Sequence, residues 1–122
     1  MVLVTLNQGC SCERRLQVVR IVKHIANDGR EDIEFVGFEL WDDFDTLSNI
    51  LTTQLNAKVI DNLEGIYSRN NTFEMNNIQF KLMYHEDTGN CLCPINGSEA
   101  DIIFLENLAH QMLPFVIESL QH

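Results

Sequence analysis

Between Ile78 and His85 the side chains alternate: Ile78, Phe80, Leu82 and Tyr84 interleave with Gln79, Lys81, Met83 and His85. A period of two belongs to a β-strand, whose successive side chains point to opposite faces; a helix would scatter the same residues around its axis. One face lies in a core and the other largely in water, as in an antiparallel strand. The flanks agree. Asn76-Asn77 precedes the strand and tolerates the positive φ of a tight turn, and Asp87-Thr88-Gly89-Asn90 follows it as another turn. The neighbouring apolar runs read as further strands: Lys58 to Tyr67, ended by Asn70-Asn71; Thr72 to Met75; and Cys91 to Pro94. Residues 58–94 are therefore expected to form an antiparallel run.

The remaining segments supply other elements. Val2 to Leu6 reads as a short strand ended by Asn7-Gln8-Gly9. From Arg14 to Asn27, the apolar residues Leu16, Val18, Val19, Val22 and Ile25 predict a helix, with Asn27-Asp28-Gly29 as its stop. Ile33 to Leu40 is rich in Phe, Val and Ile and predicts a strand. Its apolar phase switches at Gly37, which suggests a bulge or burial on both faces. A second helix starts at Asp42/Asp43 with Asp45 in its first turn, and Phe44, Leu47, Leu51 and Leu55 line one side of it. Ser98, with Asp101 three residues on, caps a last helix whose inward face is Ile102, Leu105, Leu108, Ala109 and Met112. Pro114 is expected to kink or end that helix, leaving a turn or two from Phe115 to Leu120. The order β-α-β-α-β-β-β-β-α, with about three helices on a mainly antiparallel sheet, describes a two-layer α+β domain over residues 1–122.

Size and charge bound what such a chain does. At 122 residues with 45% hydrophobic content it can bury one core and fold alone. Eighteen acidic against eight basic residues give a net charge of −10. That field repels nucleic-acid phosphates and anionic lipid and speeds the capture of a basic partner. The first ten residues lack the basic and long apolar regions of a signal peptide, and no run is long enough to span a membrane. A cytoplasmic protein with reduced cysteines is expected.

Cysteine placement is the sharpest local signal. Cys10 and Cys12 form one C-x-C pair, and Cys91 and Cys93 another. Four thiolates suit tetrahedral zinc, although structural zinc sites more often space their cysteines C-x₂₋₄-C. On a strand, C-x-C places both side chains on one face, usually the core, so buried, idle thiols are the more ordinary reading, and redox sensing a third. Cys12 would have its pKa lowered by Arg14, Arg15 and a helix N-terminus. The histidines His24, His85, His110 and His122 share no ligand spacing, and no nucleophile–base pattern or phosphate-binding glycine loop is present. The chain therefore reads as a protein that is not an enzyme. No cofactor is implied beyond that zinc.

Charge is also segregated. Residues 28–45 carry Asp28, Glu31, Asp32, Glu34, Glu39, Asp42, Asp43 and Asp45 against Arg30, just after a segment holding Arg14, Arg15, Arg20 and Lys23. The segment reads either as a solvated loop and strand edge or as a partner-binding surface. In the second case Asp32, Glu34, Glu39, Asp42, Asp43 and Asp45 would steer a basic partner and Trp41 would pack against it.

The stretch Trp41-x-x-Phe44-x-x-Leu47-x-x-x-Leu51, then Gly65, then Phe73-x-Met75-x-Asn77-x-x-Phe80-x-Leu82-x-Tyr84, with Gly89 in the next turn, is similar to small bacterial immunity proteins. These belong to contact-dependent inhibition and related polymorphic toxin systems. The resemblance implies a cytosolic protein that binds the C-terminal toxin domain of a cognate effector, often a nuclease, and blocks its active site or a nearby surface. It assigns no binding residues. The alternative is a small zinc-binding structural or regulatory domain built on the two C-x-C pairs.

Overall fold

The computed structural model describes residues 2–5, 16–25 and 27–121. The strands are β1 (Val2–Thr5), β2 (Leu16–Ile25), β3 (Glu31–Val36), β4 (Lys58–Glu64), β5 (Ser68–Met75), β6 (Ile78–His85) and β7 (Gly89–Pro94). They form one sheet in the order β1-β2-β3-β7-β6-β5-β4, with every neighbouring pair antiparallel. Two helices complete the described residues: α1 (Trp41–Asn49), extended by a wider π-helical turn over Ile50–Gln54, and α2 (Glu99–Leu120). The chain is therefore α+β and two-layered, as its patterning predicts. No helix among the described residues is long and apolar enough to cross a membrane.

The expected order and the count of about three helices need correction: the order is β-β-β-α-β-β-β-β-α. Residues 16–25, read above as a helix, are β2. The segment is rich in β-branched residues (Val18, Val19, Ile21, Val22, Ile25), which lose side-chain freedom in a helix and fit a pleated surface. It also lies between two partners, β1 through Val19↔Val2 and β3 through Ile21↔Phe35. Helical spacing omitted Ile21 from the apolar set, yet Ile21 packs on the core.

The turn expected at Asn70-Asn71 is also absent, because β5 runs straight through it. Asn71 is buried there and its Nδ2 donates to Ser48 Oγ at 3.1 Å. The chain turns earlier, where Gly65 N–H donates to Ser68 O at 2.8 Å. By contrast Asn76 and Asn77 adopt φ of 54° and 63°, joining β5 to β6 as predicted. Nor does Pro114 end the last helix, since α2 continues to Leu120, with Leu113 just before the proline and Val116 two residues after it both buried. Ser98 Oγ accepts from Asp101 N–H at 3.1 Å, as the cap signature requires.

The core fills the space between one face of the sheet and the helices. Val19, Ile33, Phe35, Leu92, Leu82, Phe80 and Phe73 come from the strands, and Phe44, Leu47, Leu51, Leu105, Leu108 and Met112 from the helical layer. Both helices contact the sheet and each other, so they share this face. By strand alternation His24, Asp32, Glu34, Met83, Cys91 and Cys93 point to the other face. The sheet joins two meanders, β1-β2-β3 and β4-β5-β6-β7, at a short seam where β3 pairs with β7 through Ile33↔Leu92 and Glu34↔Cys91.

Candidate functional site

One end of the sheet collects the β3–α1 connection, the β4–β5 turn and the β6–β7 turn. Their side chains are organised around Arg69, the second residue of β5, which is 9% exposed. Its guanidinium grips Asp45 with two nitrogens, at 2.7 and 3.0 Å, in the forked geometry that makes Arg–carboxylate pairs strong. Nε donates to Glu64 Oε2 at 2.7 Å and Nη1 to the Trp41 carbonyl at 3.1 Å. The same group lies 4.8 Å from the Trp41 ring centre and 4.5 Å from that of Phe44. Trp41 in turn meets Tyr84 edge-on, with ring centres 5.5 Å apart. The Arg69 hydrogen bonds hold the Asp45 carboxyl below its ordinary pKa, and those to Asp45 and Glu64 raise that of Arg69. Arg69 thus fixes the start of α1, Trp41 included, against the sheet.

The loop before α1 is tied down separately. Asn90 donates to the carbonyls of Phe38 and Leu40 at 3.1 and 3.2 Å, and Asp43 Oδ2 accepts from the Leu40 N–H at 3.0 Å. The expected Asp42/Asp43 cap is therefore Asp43 folding back on Leu40, the residue that precedes the helix. Gly89 is required beside this loop. Its φ is +80°, and a Cβ there would lie 2.9 Å from both Cβ and Cγ of Glu39. Gly89→Ala is expected to cost about 2 kcal/mol or more, from the left-handed backbone and the contact together. Urea denaturation measures it, and a loss under half a kcal/mol would show that the loop yields freely.

These ties hold an exposed, mixed surface in place. Leu40, Trp41, Ile66 and Tyr67 are 66%, 37%, 82% and 60% exposed. Around them stand the carboxylates of Glu39, Asp42, Asp45, Glu64, Glu86 and Asp87, all exposed. The Glu86 N–H donates to the Tyr67 carbonyl at 3.2 Å, which links two of the turns directly. Of the seven acidic and aromatic residues expected to bind a partner, Glu39, Trp41, Asp42, Asp43 and Asp45 meet here. Asp32 and Glu34 do not; they project from β3 on the face away from the helices. Glu64, Ile66, Tyr67, Glu86 and Asp87 were not anticipated. Glu86 and Asp87 fall in a turn the sequence does predict, so an antiparallel count of strand ends could have placed them here.

Asp32 and Glu34 belong to a different cluster. His24, across from Asp32 on β2, has Nδ1 3.5 Å from Asp32 Oδ1 and 3.5 Å from Glu34 Oε2. On the other side, a carboxylate oxygen of Asp32 and the sulfurs of Cys91 and Cys93 all lie within 4.8 Å of one another, and the two sulfurs are 3.3 Å apart. Asp32 Oδ1 is buried and makes no hydrogen bond. Burial raises the pKa of Asp32 and of Glu34. The Cys91 thiol is pushed well up, first by its hydrogen bond with Cys93, then by burial and the nearby negative charges. A groove of about 500 Å³ opens along this face past Cys91, Cys93 and Asp32. Cys10, Cys12, Arg14 and Arg15 lie outside the described residues.

Searches against protein-family models, curated proteins and solved structures found no match to the chain.

Proposed function

We propose that the chain is a non-catalytic binding protein of the immunity type, which captures a basic surface of a toxin domain, a nuclease in the simplest case. The observation that supports this is the end of the sheet just described, where carboxylates from the start of α1 and the loop before it, from the end of β4 and from the β6–β7 turn surround Leu40, Trp41, Ile66 and Tyr67. Apolar and aromatic groups at the centre of a contact supply most of its energy, while a charged rim sets partner choice and association rate. Carboxylates in that arrangement offer a nucleic-acid-binding partner the negative charge its own substrate would bring. In this reading Trp41 is an anchor held rigid by Arg69 and Tyr84; Glu39, Asp42 and Asp45 steer; and Asp43 shapes the loop. Asp32 and Glu34 add to the overall field without touching the partner. A binding role also fits the Arg69 network better than a catalytic one. Asp45 is committed to a guanidinium and held ionised, which suits orientation and not proton transfer.

The test is direct. The first check is whether a toxin reading frame lies immediately upstream of the gene, and its absence counts against the reading; the chain is then titrated by biolayer interferometry against the C-terminal domain of that toxin, at low and physiological salt. A tight complex whose association slows with salt is expected. The triple change Asp42→Lys, Glu86→Lys, Asp87→Lys should slow association by about tenfold or more while leaving the fold intact. No complex, and no growth protection on co-expression, would sink the reading; a complex indifferent to the triple change would sink this surface.

A further inference from the structure

We infer that the face of the sheet away from the helices carries a zinc site built on Cys91, Cys93 and Asp32, with His24 swinging in as the fourth ligand, which staples the seam between the two meanders. The ligands come from three adjacent strands: His24 from β2, Asp32 from β3, and Cys91 and Cys93 from β7. C-x-C on a strand sends both thiols to one face, and here that face is not the core, where Leu92 lies between them. A cysteine serving as a small hydrophobe gains nothing from burial beside two carboxylates. As a metal ligand it gains everything from them.

Asp32 belongs to two clusters, one with Cys91 and Cys93 and one with His24 and Glu34, each with its ligand atoms within 4.8 Å of one another, so His24 has to turn from Glu34 toward the thiols to complete a single site. Bonds of about 2.0–2.1 Å to nitrogen and oxygen give a tetrahedral N···O edge of about 3.4 Å. His24 Nδ1 and Asp32 Oδ1 are 3.5 Å apart. Two zinc–sulfur bonds of about 2.3 Å give an S···S edge of about 3.8 Å, so the thiols must spread by roughly half an ångström from their present 3.3 Å. Their mutual repulsion on ionisation favours that movement. The buried Asp32 Oδ1 makes no hydrogen bond in the fold and would gain a partner of the right sign. On binding, each cysteine forms a sulfur–zinc bond and loses its proton to solvent, two protons leaving for one divalent ion. Two thiolates with an imidazole and a carboxylate select zinc over calcium or magnesium, which take oxygen ligands. Cys93 and His24 are partly open to solvent, which provides the way in. The site spans β3 and β7, whose short pairing joins the halves of the sheet.

The probe is Co²⁺ added to the reduced, metal-free chain, followed by thiolate-to-cobalt charge-transfer absorption and the visible bands of tetrahedral cobalt. One Co²⁺ per chain, displaced by Zn²⁺, is expected. Cys91→Ser and Cys93→Ser should abolish the thiolate band, and Asp32→Asn and His24→Ala should weaken binding by about 10–100-fold. Asp32→Asn also guards against misfolding as an explanation, since it removes a buried charge and should leave the metal-free melting temperature unchanged or higher. The double change Cys10→Ser, Cys12→Ser should bind as the parent does. No saturable band in the parent overturns the site. So does a band that survives Asp32→Asn and His24→Ala unweakened, or one lost in the Cys10→Ser, Cys12→Ser chain.

Discussion

Asn90→Asp is expected to destabilise the protein by more than about 3 kcal/mol at neutral pH, and by much less in acid. Asn90 is 1% exposed, and its amide nitrogen donates to the carbonyls of Phe38 and Leu40. An ionised Asp there would turn an acceptor toward two acceptors, with no cation against it. A protonated Asp would keep one O–H donor and so recover part of the loss. The folded variant therefore holds its proton above the ordinary carboxyl pKa of about 3.9. The sign follows: the deficit against the parent is smallest below that value and grows as pH rises toward the folded pKa, by up to about 1.4 kcal/mol per unit. Urea denaturation at pH 4.5 and 7.5 measures both arms, with Asn90→Ala as the pH-independent comparison. A deficit identical at the two pH values would mean that solvent reaches the new carboxylate and that the loop is not held as described. The consequence reaches the proposed surface, because Phe38 and Leu40 lead directly into Trp41.

Arg69→Ala is the second large loss, at about 3 kcal/mol. The change removes forked, charge-assisted hydrogen bonds to Asp45, one to Glu64 and one to the Trp41 carbonyl, and it empties the space between two rings. The loss is smaller than for a wholly buried pair, since the Asp45 and Glu64 side chains are more than half exposed and rehydrate once released. Arg69→Lys should recover only part of it, because an ammonium cannot span both oxygens of Asp45 while lying flat on Trp41. Trp41 is the sole tryptophan, so its fluorescence reports the site directly. A red shift in the folded Arg69→Ala variant is expected, and an unshifted spectrum with parental stability would remove Arg69 as the organiser. The pH dependence provides a check. Asp45 has its pKa lowered, so its share of the stability is present above the unfolded carboxyl value and lost as pH falls through the folded one. The gap between parent and variant should narrow in acid accordingly.

Several elements were legible without coordinates because their signal is local. Alternation from Ile78 to Tyr84 places Phe80 and Leu82 in the core, and the Asn76-Asn77 turn takes the backbone that asparagine tolerates. Ser98 with Asp101 caps α2, and the stripe Phe44, Leu47 and Leu51 is buried as its spacing requires. Residues 16–25 misled because Leu16, Val19 and Val22 recur at a helical spacing, which outweighed the β-branched composition of the segment. What decided between them was the presence of β1 and β3 on either side, information that no window of the segment contains. Asn70-Asn71 misled for the same reason: Ser48, more than twenty residues away, satisfies the Asn71 amide that a turn would have turned outward.

The acidity shows the same division most clearly. A charge of −10, with a dense block of carboxylates at 28–45, can be counted along the chain, and it constrains partners through a field that acts at long range. Which carboxylates stand together depends on strand alternation and on where turns from distant segments converge. Asp32 and Glu34 project from one face of the sheet beside His24 and the Cys91–Cys93 pair, while Asp42 and Asp45 join Glu64, Glu86 and Asp87 at its end. Composition and local periodicity determine how much charge and apolar surface each element carries. Cross-strand pairing, which links residues far apart in sequence at about 5 Å in space, decides what those groups meet.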